Sequence, residues 1–149
     1  MEHCYLAQIN IAEAQDDMDS ETMQGFVNRL DEINSLADTS PGFVWRLKTE
    51  EGDATSIQAF DDPALIVNMS VWQDIETLKT FVYKSVHVDL IRDRDAWFNK
   101  ILNVHQCLWW IPAGHIPSLA EGKEKLALLQ TNGPGRDAFT FSKPFDCAI

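Results

Sequence analysis

The run from Leu65 to Trp72 constrains the fold more than any other part of the chain, with the sequence LIVNMSVW. Successive side chains of a β-strand point to opposite faces, so this run predicts a strand that is apolar on both faces. The apolar side chains are Leu65, Val67, Met69 and Val71 on one face and Ile66 and Trp72 on the other. A strand of this kind needs cover on both sides of its sheet.

The other patterns place this strand in a recognisable order of strands and helices. Strands are predicted at 4–11, 43–48 and 106–111, with an arm at 54–60, and helices at 20–37, 74–82, 86–102 and from Ser118. The core order β-α-β-β-α-β is the ferredoxin-like split βαβ pattern, an α+β fold with an antiparallel sheet. We predict a single domain over 1–149, with a ferredoxin-like core at 1–112 and a C-terminal helix and docking tail at 113–149.

The sheet face opposite the helices predicts a second subunit. In the ferredoxin-like pattern the helices lie on one face, and an apolar second face must also be buried. A second copy of the chain, packed sheet against sheet, would bury it. We therefore predict a two-fold symmetric homodimer of the dimeric α/β barrel type.

Charge and cysteine content narrow the function classes. Twenty-three acidic residues face twelve basic ones, for a net charge of −11. A phosphate backbone or an anionic membrane surface would be repelled, so neither is expected as a partner. Three widely spaced cysteines do not predict a disulfide framework or a zinc site. With no signal peptide pattern and no long apolar run, a reducing, cytoplasmic setting is expected.

The predicted helix at 86–102 carries the strongest candidates for chemistry. His87 and Arg94 share its apolar face with Leu90, Trp97 and Ile101. A buried guanidinium needs a partner, so Arg94 either holds an anionic or enolate oxygen or bridges to a carboxylate or carbonyl. His87 is either an acid–base group or a structural histidine. Tyr83 lies four residues before His87 and shares its face if the helix is continuous.

Polar and imidazole groups elsewhere form a second set of candidates. His115 lies in the loop before the last helix, where it either serves a ligand or pins the loop. Gln8 and Asn10 share one face of the first strand, and Asn68 and Ser70 share one face of the third. Buried amides need hydrogen-bond partners, so these residues either line a pocket or bond across a dimer interface.

Tryptophans complete the candidate binding residues. Trp45, Trp72, Trp97 and Trp109 either wall an apolar cleft for an aromatic substrate or fill the core. The sequence has no dinucleotide fingerprint, P-loop, nucleophile elbow or metal-spaced carboxylates, so no cofactor or metal is expected. A haem held by His87 or His115 is the cofactor alternative.

Several stretches resemble known families. The run through Trp72, the following Asp74-Ile-Glu-Thr-Leu78 and the step Ser85-Val-His87 resemble the dimeric α/β barrel superfamily, which includes antibiotic-biosynthesis-type monooxygenases. More specifically, the chain is similar to a family of domains of unknown function within it. The motifs of that similarity are Tyr5–Asn10, Ser40–Leu47, Ala54–Ile57, Leu65–Trp72, His87–Phe98, Leu108–His115 and Ala138–Phe141.

The resemblance implies a pocket between sheet and helices in each subunit, in a superfamily that contains cofactor-free oxygenases, cyclases, isomerases and haem proteins. The resulting hypothesis is an enzyme performing cofactor-independent monooxygenase-like or proton-transfer chemistry on a hydrophobic or aromatic molecule. His87 would move the proton and Arg94 would stabilise the anion. A non-catalytic ligand-binding protein and a haem-binding protein are the alternatives.

Overall fold

The chain folds into one antiparallel sheet with helices on both of its faces. The computed structural model describes residues 4–16, 20–47, 65–84, 97–99 and 105–147. The strands are β1 (Cys4–Ala14), β2 (Phe43–Arg46), β3 (Leu65–Trp72), β4 (Phe98–Asn99) and β5 (Gln106–Pro112). The helices are α1 (Gln24–Thr39), α2 (Ile75–Lys84) and α3 (Leu119–Asn132). The predicted arm at 54–60 lies outside the described residues.

β1 is the centre of the sheet. The strand order runs β2-β3-β1, and both β4 and β5 pair with the other edge of β1. All pairings are antiparallel, and Gln8 of β1 lies opposite Ser70 of β3 and Leu108 of β5. With β5 as the outer strand, the order of strands and helices confirms the predicted α+β, ferredoxin-like fold.

The two faces of the sheet have different cover. We call the side with Leu6, Gln8, Ser70, Trp72 and Leu108 the front face, and the side with Ala7, Ile9, Met69, Cys107 and Trp109 the back face. On the front face, Ala37 of α1 and Leu78 of α2 belong to the buried cluster around Trp72. On the back face, Leu126 and Leu129 of α3 belong to the cluster around Met69.

Helix α3 covers the sheet face for which a second subunit was predicted. The back face was expected to need a partner, yet Ile9 and Met69 are at most 1% exposed beneath α3 of the same chain. Gly122 allows this approach, because a Cβ there would lie 3.0 Å from the Met69 side chain. The homodimer therefore stays a prediction that no longer rests on an uncovered sheet face.

Local signals explain where the helices begin. Ser118 Oγ accepts a hydrogen bond from the backbone N–H of Glu121 at 3.1 Å, which caps α3 as expected. Asp74 Oδ1 accepts from the Thr77 N–H at 2.8 Å and caps α2. The first helix was predicted to begin at Ser20, but Ser20 Oγ bonds to the Met23 N–H within a turn, and α1 begins at Gln24.

The predicted helix at 86–102 is wrong at its C-terminal end. Phe98 and Asn99 form β4, opposite Ala14 and Glu13 of β1, and the Trp97 carbonyl accepts from the Gln15 N–H at 2.8 Å. The apolar pair at 97 and 98 fits a helical stripe, but strand pairing with the end of β1 determines its conformation. Residues 85–96, including His87 and Arg94, lie outside the described residues.

Two of the three cysteines form a disulfide, which their spacing in the sequence did not predict. Cys4 and Cys147 form a disulfide with their Cα atoms 6.4 Å apart, although 143 positions separate them in sequence. Cys107 is free and buried. The pairing arises because the segment after α3 returns to the start of β1, which brings the two distant cysteines together.

Candidate functional site

Four side chains form a hydrogen-bonded row on the front face, which we call the polar row: Gln8, Asn68, Ser70 and Trp72. Gln8 Nε2 donates to Asn68 Oδ1 at 2.6 Å and to Ser70 Oγ at 2.8 Å. Trp72 Nε1 donates to the same Ser70 Oγ at 2.9 Å. The row arises from strand register, because Gln8 lies directly opposite Ser70 and Asn68 lies two residues along the same face.

The row is buried at one end and open at the other. Trp72 is 1% exposed, Gln8 4% and Ser70 8%, whereas Asn68 is exposed. Buried polar groups are normally satisfied within the protein, and here each buried member has a partner in the row. Asn68 is held by Gln8 yet faces solvent, so the row presents one oriented amide at the surface of a central strand.

Aromatic groups border both ends of the row. At one end, the Trp72 ring stacks on Phe81 at a centroid distance of 5.2 Å and meets the edge of Phe43 at 5.5 Å. At the other, Trp97 and Phe26 lie 5.9 Å apart in a cluster that includes Ile66 of β3. The front face thus alternates apolar, polar and apolar along β3.

The predicted binding residues divide between the two faces. Asn68, Trp72 and Trp97 lie with the front-face groups. Trp45 and Trp109 pack into the back-face cluster, where Trp109 is 1% exposed. Tyr83 lies on α2, but its side chain is outside the described part, as are His87 and Arg94. Gln8 and Ser70 were predicted as polar residues on strand faces but not as site residues.

His115 lies in a separate group of side chains around the carboxylate of Glu121, at the edge of the back face. Its Nε2 lies 2.7 Å from Glu121 Oε1, and Trp109 Nε1 donates to Glu121 Oε2 at 2.9 Å. The His115 side chain is 44% exposed and the Glu121 side chain 24%. Glu121 thus bonds to both His115 and the buried indole of Trp109. In the sequence, only its position in a helix cap could be recognised.

An open groove of about 350 Å³ lies between the end of α1 and the start of α2. Ser40, Asp74, Thr80 and Phe81 are among its lining residues. None of the predicted site residues whose side chains the structure describes lines this groove. In the described ranges of the chain, no group of three histidine, cysteine, aspartate or glutamate side chains is placed to hold a metal ion. No helix among the described residues is long and apolar enough to cross a membrane.

The fold and the polar row define a ferredoxin-like α+β protein that presents a neutral, oriented amide between aromatic clusters. The chain belongs to the family described as domain of unknown function DUF3291, whose model matches residues 5–148. This confirms the family expected from the sequence motifs. No curated protein matches the chain by sequence.

Solved structures resemble the chain in fold alone. A protein of unknown function from Nitrosomonas europaea has 12% identity and a TM-score of 0.49, with 79% of this chain and 99% of that chain covered. SnoaB, a cofactor-independent oxygenase from Streptomyces nogalater, has 13% identity and a TM-score of 0.46, with coverage of 75% and 95%. A dabb family protein with a ferredoxin-like fold from Mesorhizobium loti has 14% identity and a TM-score of 0.42, with coverage of 78% and 99%.

Proposed function

We propose that the chain is a small-molecule enzyme performing cofactor-independent monooxygenase-like or proton-transfer chemistry on a hydrophobic or aromatic substrate. The observation that carries the proposal is the exposed Asn68 amide at the open end of the buried polar row. An amide oriented by a buried partner and flanked by aromatic rings matches the usual composition of a small-molecule site.

The polar row determines what kind of group it can bind. With Asn68 Oδ1 accepting from Gln8, the remaining group of that amide is its nitrogen, a hydrogen-bond donor. A donor there would hold a carbonyl, enolate or phenolate oxygen of a ligand. The half-buried rings of Phe81 and Phe98, which pack on Trp72 and Trp97, would then contact the apolar part of the same molecule.

The row itself cannot move a proton at neutral pH, because an amide, a hydroxyl and an indole do not titrate there. We assign that step to His87, with Arg94 stabilising the resulting anion and Tyr83 lining the site. Removal of a proton from an enolisable substrate would give an enolate whose oxygen the Asn68 amide holds. An electron-rich anion of this kind is the substrate that reaction with dioxygen would require when no cofactor takes part.

The proposal is tested with enolisable aromatic ketones, with 2-tetralone as the first probe. Exchange of its α-protons in D₂O, followed by NMR, measures proton transfer, and an oxygen electrode measures oxygenation. His87→Ala should abolish both while the melting temperature stays near wild type. Asn68→Asp keeps an acceptor for Gln8 but removes the amide donor, so it should weaken binding of a ligand oxygen with little effect on stability. Gln24→Ala, an exposed change on α1, is the matched control.

The alternatives predict other outcomes. A ligand that binds tightly but is recovered unchanged after long aerobic incubation would favour a non-catalytic binding protein. Equal losses of stability and turnover in His87→Ala would assign that residue a structural role. For a haem protein, His115 would have to release Glu121 from its Nε2 before that nitrogen could bind iron. A Soret band after haem addition that His115→Ala removes would support this alternative.

Assembly and location complete the proposal. We propose that the protein is a homodimer and that it lies in the cytoplasm. Light scattering on the purified protein tests whether it is a dimer. Because α3 already covers the back face, a dimer would have to form through another surface or displace that helix.

A further inference from the structure

The segment after α3, residues 138–147, runs back across the front face of the sheet; we call it the C-terminal segment. Its first anchor is a backbone pairing in which Phe139 N–H donates to the Leu108 carbonyl and Leu108 N–H donates to the Phe139 carbonyl, both at 2.8 Å. The Phe139 side chain is fully buried against Leu6 and Leu108. This end of the segment is therefore part of the core.

Beyond Phe139 the segment is attached differently. The Phe145 carbonyl accepts a hydrogen bond from Trp110 Nε1 at 2.7 Å, and the Phe145 ring lies 6.0 Å from that of Phe139. Phe141 and Phe145 are only half-buried, although both pack on the cluster that contains Trp72. The distal half thus packs, through partly exposed contacts, on the cluster to which Trp72 of the polar row belongs.

A covalent bond closes this half of the segment onto the sheet. Cys4 lies at the start of β1 on the front face, and Cys147 of the segment is bonded to it. Their Cα separation of 6.4 Å is within the usual range for residues joined by a disulfide. Both residues are half-buried, so a small thiol can reach the bond.

The third cysteine is protected from the same chemistry. Cys107 is fully buried on the back face beneath α3. Burial raises the pKa of its thiol from 9.0 to about 12, so almost none of it is thiolate near neutral pH. Because the thiolate is the species that attacks disulfides, Cys107 cannot compete in exchange with Cys4 or Cys147.

We propose that the Cys4–Cys147 disulfide is a redox-responsive latch that holds residues 140–147 over the front face and releases them on reduction. A thiol such as glutathione attacks one sulfur to form a mixed disulfide, and a second thiol displaces the protein sulfur. Two thiols are oxidised to one small disulfide, and the protein gains two electrons and two protons as free Cys4 and Cys147. The reverse reaction consumes one oxidised glutathione and returns two thiols.

Release would be confined to the distal half. Phe139 keeps its backbone pairing with Leu108 and its buried ring in either state, whereas Phe141 and Phe145 lose their covalent restraint. The cluster around Trp72 would then become more exposed. In a reducing compartment the dithiol would be the resting form, and such pairs in reducing compartments are usually catalytic or redox-sensing.

Alkylation with iodoacetamide and intact-protein mass spectrometry test the bond. The full-length protein equilibrated with oxidised glutathione should take up no label without denaturant, and after reduction it should take up two labels, at Cys4 and Cys147. Labelling of both cysteines after equilibration with oxidised glutathione would overturn the proposal. Cys107→Ala, which leaves the pair intact, should behave like wild type.

Hydrogen exchange tests the release. Reduction should speed amide exchange at residues 140–147 by roughly tenfold or more, while exchange in α3 stays unchanged. Cys147→Ser should show the fast exchange under both redox conditions. Equal exchange in the oxidised and reduced protein would contradict the latch even if the disulfide forms. Neither readout depends on the proposed chemistry, so this inference and the proposed function fail separately.

Discussion

Gln8 and Asn68 are joined by a 2.6 Å hydrogen bond between side chains that are sixty positions apart in the sequence. The bond runs diagonally across β1 and β3, since Gln8 pairs directly with Ser70 and Asn68 pairs with Asn10. A buried amide thus sets the direction of an exposed one. This relationship makes Gln8 a positioning residue, because it would act on a ligand only through Asn68.

Gln8→Glu tests the buried end of the row. The change keeps the shape but replaces two donated hydrogen bonds with a carboxylate in a site that is 4% exposed. At pH 7 we expect the free energy of unfolding to fall by about 3 kcal/mol or more. Burial should raise the pKa of the new carboxyl, so the penalty should shrink as the pH falls towards the unfolded value of about 4.3. Urea unfolding at pH 7 and pH 5 measures both effects.

Gln24→Glu is the matched control for this experiment. Gln24 is exposed at the start of α1, and its side chain donates to the nearby Asn28 Oδ1 at 2.7 Å. A carboxylate there interacts favourably with the N-terminal end of the helix. Its stability should therefore stay within about 0.5 kcal/mol of wild type at both pH values. A loss in Gln8→Glu no larger than in this control would contradict the buried-row interpretation.

Truncation of Glu121 tests the cluster at the edge of the back face. Glu121→Ala leaves the indole N–H of Trp109, a residue only 1% exposed, without its acceptor at 2.9 Å. We expect a loss of about 1–3 kcal/mol. His115→Ala should cost less than about 1 kcal/mol, because its side chain is 44% exposed and water screens the pair.

A comparison of Glu121→Gln with Glu121→Ala and His115→Ala, each by urea unfolding, separates the two partners of Glu121. If the indole is the main partner, Glu121→Gln should recover most of the stability, because an amide oxygen can still accept from Trp109. Equal losses in Glu121→Ala and His115→Ala would instead assign the stability to the histidine pair.

The features that could be predicted from the sequence are those that neighbouring residues determine. β3 runs from Leu65 to Trp72 as predicted, because alternation with apolar residues on both faces is a property of the run itself. The cap at Ser118 was equally local, since the bond to Glu121 spans three residues. Gln8 and Ser70 could be placed on strand faces, but their contact depends on the register between two strands.

Non-local determinants account for the errors. Trp97 and Phe98 have spacing that suits a helix, and only the pairing of β4 with the end of β1 selects a strand. The disulfide joins residues 143 positions apart, and no local pattern could indicate it. Glu121 gave a correct helix-cap signal, which carried no information on where its carboxylate points.

Gly42 and Gly114 form a matched pair for separating backbone strain from packing. Both have positive φ angles, +83° and +94°, where an L side chain is disfavoured. A Cβ at Gly42 would collide with the Thr77 side chain, whereas one at Gly114 would meet nothing within 4 Å. Gly114→Ala should cost about 1 kcal/mol from strain alone, and Gly42→Ala should cost clearly more. Similar melting temperatures for the two variants would show that α2 yields to the added methyl group.

The buried thiol of Cys107 predicts how stability changes in alkali. Its pKa is about 12 in the folded chain, against 9.0 for an ordinary thiol, and desolvation by burial is the main cause. Below pH 9 the thiol is neutral in both states, and its contribution to stability is fully present. As the pH rises from 9 towards 12, the Cys107 thiol ionises in the unfolded chain but not in the folded chain, so this contribution is progressively lost.

Cys107→Ala removes the effect, although it also costs some stability by leaving a small cavity. The stability gap between wild type and Cys107→Ala should therefore narrow between pH 8.5 and pH 10.5, as measured by urea unfolding with Cys4 and Cys147 held oxidised. A gap that stays constant over this range would mean that the Cys107 thiol ionises equally readily in the folded and unfolded chain.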